Sequence, residues 1–182
     1  MKLPFAILAS ILLFIVLAAL PSAQPQIPAA RDVVSPAAYA SLEPAARGTS
    51  FQLAVVMKIR NGFHVNAHQA SADYLIPTTV TPELPIGFKA GEIIYPRGEL
   101  HTFTFTKIPL NVYQDKVVLR IPLTAQSDAP TGTLHIPLKL RYQACNNEVC
   151  LPPVKVDVDA TVTVAANSAA VRPAHPELFP AH

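Results

Sequence analysis

Tryptophan is absent from this chain of 182 residues, cysteine occurs only twice, and the six glycines stand singly. Isolated glycines cannot form the loop that cradles a phosphate, so the nucleotide-binding motifs are excluded. No nucleophile-elbow pattern surrounds any serine, and Asp73, Asp115, Asp157 and Asp159 fall at turn or outward strand positions, so triad hydrolysis has no support. Charge is sparse as well: 14 basic and 12 acidic residues are scattered, leave a net charge of +2 and form no basic run. With neither such a run nor tryptophan, nucleic-acid binding has no footprint. Beyond residue 20 no apolar stretch is long enough to cross a bilayer.

What is present begins with Lys2, an apolar stretch from Leu3 to Leu20, and the small residues Ser22 and Ala23 after Pro21. That layout reads as a secretory signal over residues 1–23, either removed or kept as an N-terminal anchor, and it places the chain in an oxidising compartment outside the cytoplasm. Residues 24–48 open with a run of Pro and Gln and read as a linker, with one short helical turn expected over Pro36–Ala46. Residues 166–182, rich in Ala, Pro and His, read as a tail. The rest, residues 49–165, is one domain large enough for a hydrophobic core.

Within it the apolar residues recur with period two, as strands with one buried face demand. Phe51, Leu53, Val55, Met57 and Ile59 share a face; Asn61 and Gly62 then offer a tight hairpin turn, and Phe63 and Val65 resume against His64 and Asn66. Leu134, Ile136, Leu138, Leu140 and Tyr142 alternate with polar residues, and Pro137 among them marks an edge or a bulge. From Val154 to Val164 the alternation runs for eleven residues. Shorter candidates are Tyr74–Val80, Ile86–Ile94, His101–Thr106 and Val117–Thr124. About eight strands separated by turn residues predict an all-β fold, an antiparallel sandwich of immunoglobulin type.

The two cysteines, Cys145 and Cys150, lie in YQACNNEVCLPP, between the strands ending at Tyr142 and starting at Val154. Five extended steps would cover roughly 16 Å, whereas a disulfide holds its Cα atoms about 4.4 to 6.8 Å apart. The chain must fold back between them to bridge, which Asn146 and Asn147 favour. Pro152 and Pro153 stiffen the exit. Closing so small a loop stabilises a fold by only about 2 kcal/mol. A small gain tilts the pair toward redox chemistry over a structural clip, although secreted domains use local clips too.

These residues resemble the N-terminal, periplasmic domain of the bacterial thiol:disulfide interchange protein DsbD, an immunoglobulin-like redox module. The resemblance covers roughly 51–164 and is strongest in YQACNNEVCLPP, similar to the family's Tyr-Gln-x-Cys segment ending in Cys-x-Pro-Pro. Weaker likenesses lie at Asn61–Asn66, the family's strand beside the cysteines, and at Tyr95-Pro96-Arg97-Gly98, a turn ahead of its protective loop. The resemblance implies that Cys150 forms the mixed disulfide with partners and Cys145 resolves it, with Tyr142 and Gln143 shaping the floor of the site. His64 and Asn66 stand where better-known members carry tyrosines, and a histidine there is able to donate to or accept from a thiol near neutral pH. The family's acidic and aromatic cap motif is missing; Phe103, Phe105 and Lys107 occupy its interval as substitutes. Known members continue into a membrane domain and a thioredoxin-like domain, so electrons are expected to reach this chain from a separate thioredoxin-like protein or membrane electron transporter. No cofactor beyond the disulfide, no small-molecule substrate and a monomer are expected.

The competing reading is a non-enzymatic secreted β-sandwich module for binding or assembly, in which the hairpin disulfide is merely structural. A lesser alternative is a metal site of Cys145, Cys150, His64 and His68. Two histidines four apart on a strand lie about 13 Å from each other if extended, too far for one ion. His101 and His135 are expected on an exposed strand face, and His175 and His182 in a solvated tail.

Overall fold

The structure, a computed structural model, describes residues 27–180; the signal or anchor expected over residues 1–23 lies outside them. Twelve strands follow in order: β1 (Val34–Ala40), β2 (Ala45–Ala46), β3 (Thr49–Ile59), β4 (His64–Asn66), β5 (Thr79–Pro82), β6 (Phe88–Ala90), β7 (Glu99–His101), β8 (Leu110–Tyr113), β9 (Lys116–Ala125), β10 (Gly132–Tyr142), β11 (Ala144–Cys145) and β12 (Val154–Ala165). They form three four-stranded sheets, β1-β3-β9-β6, β2-β12-β10-β5 and β11-β4-β8-β7. All pairings are antiparallel except β2 with β12. The fold is the all-β sandwich that the alternation predicts, built from more and shorter strands than the eight expected.

The three long alternating segments became the long strands. Leu53, Val55 and Met57 of β3, Leu119, Ile121 and Leu123 of β9, Ile136, Leu138 and Leu140 of β10, and Val158, Ala160 and Val162 of β12 interdigitate in one core. β10 and β12 pair through eleven successive positions, from Gly132 opposite Val164 to Tyr142 opposite Val154. Pro137 sits just past the end of β5, whose pairing with β10 stops at Leu138 opposite Pro82. Its carbonyl accepts from the Glu83 backbone N–H at 2.8 Å, and the return bond that its missing N–H withholds falls beyond the end of β5.

Four expectations need correcting. Pro36–Ala46 is not helical: β1 pairs with β3 along its whole length, Val34 opposite Ile59 through Ala40 opposite Leu53, so the domain starts inside the stretch read as linker. Proline is tolerated there because β1 is the edge of its sheet. Asn61 and Gly62 do form a tight turn, with Gly62 at φ 81° and Phe63 N–H donating to the Arg60 carbonyl at 3.0 Å. It is no hairpin, because β3 already has β1 and β9 on its two sides, and β4 passes into the third sheet. His101–Thr106 is a strand only up to His101, beyond which the chain loops to Leu110.

Finally, the tail folds back onto the sandwich. Leu178 is buried against Ala54 and Val56, with Val118 and Phe179 beside it, on the face of β3 opposite the main core. The Arg120 guanidinium donates to the Leu178 carbonyl at 2.8 Å, and the Ala174 N–H to the Ser41 carbonyl at 2.9 Å. At Ala54 and Val56 both faces of β3 are thereby covered. Among the described residues no helix is long and apolar enough to cross a membrane.

Candidate functional site

At Tyr142 the β10–β12 ladder ends, and the chain swings into β11, which joins a different sheet: Ala144 lies opposite Val65 and Cys145 opposite His64. Cys145 and Cys150 then close a disulfide with Cα atoms 4.0 Å apart. Asn146 shapes the fold-back, its side-chain oxygen accepting from the Glu148 N–H at 2.9 Å and the Val149 N–H at 2.7 Å. Its own N–H donates to the Val149 carbonyl at 3.0 Å, and Leu151 N–H to the Ala144 carbonyl at 2.8 Å. An asparagine is suited to this place because its side chain imitates a backbone turn. Pro152 and Pro153 are exposed and lead into β12.

The two sulfur-bearing residues differ in access. Cys145 is fully buried, while Cys150 is partly exposed and follows Val149, whose side chain is on the surface. An open cleft of about 430 Å³ runs beside the turn, lined by Ile27, Arg60, Phe63, Asn146 and Glu148. A larger cleft, about 930 Å³, lies at the Tyr95–Gly98 turn and involves neither cysteine.

The third sheet has two unlike faces. Val65, Tyr113 and Ala144 turn toward the main core. Their neighbours in the ladder, His64, Asn66 and Val112, emerge on the other side by the alternation of the strands. There Leu75, Phe103, Leu110 and Val112 make a separate apolar cluster. The loops around Leu75 and Phe103 cover this face, which is why both His64 and Asn66 are buried, at 1% and 0% exposure.

The loop 102–109 carries Phe103, Phe105 and Lys107, the residues expected as substitutes for a cap. Phe103 is buried and stacks on His64, ring centroids 4.0 Å apart and planes within 19°. Phe105 stacks on Phe103 in turn, at 5.4 Å and 15°, and is itself exposed. The Thr104 hydroxyl donates to the Asn147 carbonyl at 3.0 Å, tying the loop to the cysteine turn. Lys107 is exposed on the far part of the loop, and no hydrogen bond or ion pair joins it to the cysteine turn among the described residues.

The remaining side chains hold the frame. The Gln143 amide donates to the Leu151 carbonyl at 3.3 Å, and its oxygen accepts from Ile76 N–H and the Asn66 amide, both at 3.4 Å. Gln143 thus links the strand before the cysteines to the segment after them and to the loop beyond β4. Asn66 also donates to the Ile76 carbonyl at 3.1 Å, while its own side-chain oxygen has no partner. Tyr142 lies in the main core, and its hydroxyl donates to the Ala30 and Arg31 carbonyls at 3.0 and 3.2 Å; burial pushes this phenol above its ordinary pKa. Its part is to anchor β10 ahead of the turn.

His64 is the most perturbed titratable group. Burial, aided by the charge of His101, lowers its pKa from 6.5 to about 4, so the ring is neutral near pH 7. Its Nε2 is sealed from solvent and has no hydrogen-bond partner among the described residues. His68, the other histidine of the imagined metal set, faces elsewhere: it stacks on Tyr95 at 3.6 Å and its Nδ1 meets the Thr78 carbonyl at 3.1 Å. Among the described residues no three His, Cys, Asp or Glu side chains gather as ligands.

Thr104, Leu75 and Ile76 escaped sequence reasoning. The alternating Phe-Thr-Phe-Thr run imitates a strand, and nothing local in the Leu75-Ile76 segment announces that it will cover β4.

Solved structures that resemble the fold at low identity include the following two. The N-terminal periplasmic domain of ScsB from Proteus mirabilis aligns with a TM-score of 0.46 and 13% identity, covering 68% of this chain and 44% of that one. The full-length major pilin SpaD from Corynebacterium diphtheriae aligns with a TM-score of 0.40 and 9% identity, covering 71% and 35%. The chain therefore spans less than half the length of either. No curated protein sequence matches it. Residues 30–161, more than half of the chain, match the family described as thiol:disulfide interchange protein DsbD, N-terminal, and the chain belongs to that family.

Proposed function

We propose that this domain relays electrons outside the cytoplasm by thiol–disulfide exchange through Cys145 and Cys150. The observation that carries the reading is the unequal access of two bonded cysteines at a turn held by Asn146 and Gln143. Exchange needs a thiolate to reach a sulfur in line, so one exposed and one sheltered sulfur divide the work. Starting from the dithiol, the Cys150 thiolate attacks a sulfur of an oxidised periplasmic protein, and one partner sulfur leaves as thiolate. The Cys145 thiolate then attacks Cys150, the mixed disulfide breaks, and the partner departs with both electrons and two protons as a dithiol. A thioredoxin-like donor, or a membrane electron transporter that carries one, restores the pair by the reverse steps. Family membership supports this chemistry, as does the small loop that the bridge closes, which adds only about 2 kcal/mol as a staple.

The test is a Cys145→Ser variant, reduced and mixed with an oxidised thioredoxin-like protein. A mixed disulfide through Cys150 that survives on a non-reducing gel is expected. If none forms, and the native bridge has a potential well below about −300 mV, the bridge is a structural clip on a domain of another purpose.

A further inference from the structure

We infer that His64 accepts the proton of the Cys145 thiol when Cys145 attacks the mixed disulfide; the inference rests on the exchange reading above. Cys145 and His64 are directly opposed across the β11–β4 ladder, so their side chains leave one face with Cβ atoms about 4.5 to 5.5 Å apart. Cys145 is fully buried. A thiol taken out of water loses its proton with more difficulty than a free one. An acceptor inside the fold is needed, and His64 offers the one side chain of suitable chemistry across the ladder.

Its geometry fits that use. Phe103 stacks on the ring at 4.0 Å and fixes its plane, and the Nε2 is buried with no partner. A buried polar atom left unpaired is rare and calls for an explanation. In the oxidised protein Cys145 carries no hydrogen; in the dithiol its S–H can donate to His64, and the unpaired nitrogen gains the partner it lacks. The lowered pKa keeps the imidazole unprotonated in the oxidised protein, and the Cys145 thiolate formed opposite it supplies the charge that stabilises the imidazolium as the proton arrives. Besides Cys145, the titratable group facing it is His101, which Glu99 holds at 3.3 Å.

The step balances as follows. The Cys145 proton passes to His64 Nε2, the Cys145 sulfur bonds to Cys150, and the Cys150–partner bond breaks. The departing partner thiolate takes a proton from solvent or from the imidazolium, and His64 returns to neutral. No further oxidant is required, because the partner's disulfide supplied it.

The experiment treats the reduced protein with one equivalent of dithiobis(nitrobenzoate), whose thiolate product is coloured. Attack by Cys150 releases the first thiolate, and attack by Cys145 releases the second. In His64→Gln and His64→Phe the first phase is expected at the native rate, while the second slows about tenfold to a hundredfold near neutral pH and recovers in alkali. His64→Phe keeps a ring to stack on Phe103, so a structural role alone would leave it at the native rate. A second phase unchanged in both variants, or both phases slowed equally, overturns the inference. Absence of the first phase in the native protein instead overturns the exchange reading.

Discussion

Acidifying the oxidised domain is expected to weaken it through one residue. A histidine whose folded pKa lies below its unfolded value holds its proton less tightly when folded, so its contribution is fully present above about 6.5 and is lost as pH falls toward the folded value near 4. The full shift corresponds to about 3 kcal/mol. At about pH 4.5 most of it is in play, and allowing for water reaching the ring past an exposed loop leaves about 2 kcal/mol relative to about pH 7.5. The measurement is urea denaturation at the two pH values with the disulfide intact, comparing the native protein with His64→Phe, which keeps the stack on Phe103 and abolishes the charge. The native protein should lose about 2 kcal/mol more than the variant over that interval. Equal losses would mean that His64 protonates freely, and the closed loop over β4 would be refuted with it.

Phe103→Ala removes the ring that covers His64 and should destabilise the domain by about 3 kcal/mol. The bridge should also be reduced several-fold faster by dithiothreitol, and an unaltered reduction rate would show that the loop does not shield the sulfurs. Leu178→Ala opens the outer face of β3 at Ala54 and Val56. It should lower stability by about 2 kcal/mol in urea, at the small end for a buried leucine because the site borders solvent, and leave the thiol-exchange rates alone.

The long strands were legible because their apolar residues alternate over about nine to eleven positions and the partner face is the main core. β1 was not. Its Pro36 and the alanines around it carry no alternation, and it is a strand only because β3 offers a free edge, a contact between segments far apart in sequence. β2, β4 and β11 are two or three residues long, too short for any period to register. At the candidate site the fold-back and the turn role of Asn146 followed from the sequence. The burial of His64 and Asn66 did not, because period two assigned their face to solvent and only the loops from Leu75 and Phe103 reverse that. Tyr142 was expected beneath the sulfurs; its hydroxyl instead reaches residues 30 and 31, more than a hundred positions away. The tail was misjudged for a similar reason, since a lone Leu178 among Pro and Ala gives no hint of the surface awaiting it.

Tyr142 and Val154 face one another in the last rung of an eleven-step ladder, and everything that the sulfurs do happens beyond that rung. The oxidised and reduced forms can thus share one scaffold, with rearrangement confined to the short excursion between the two strands. In the exchange proposed above, a visiting protein would meet nearly the same contour before and after electron transfer, so telling a charged carrier from a spent one would fall to a handful of atoms at the tip.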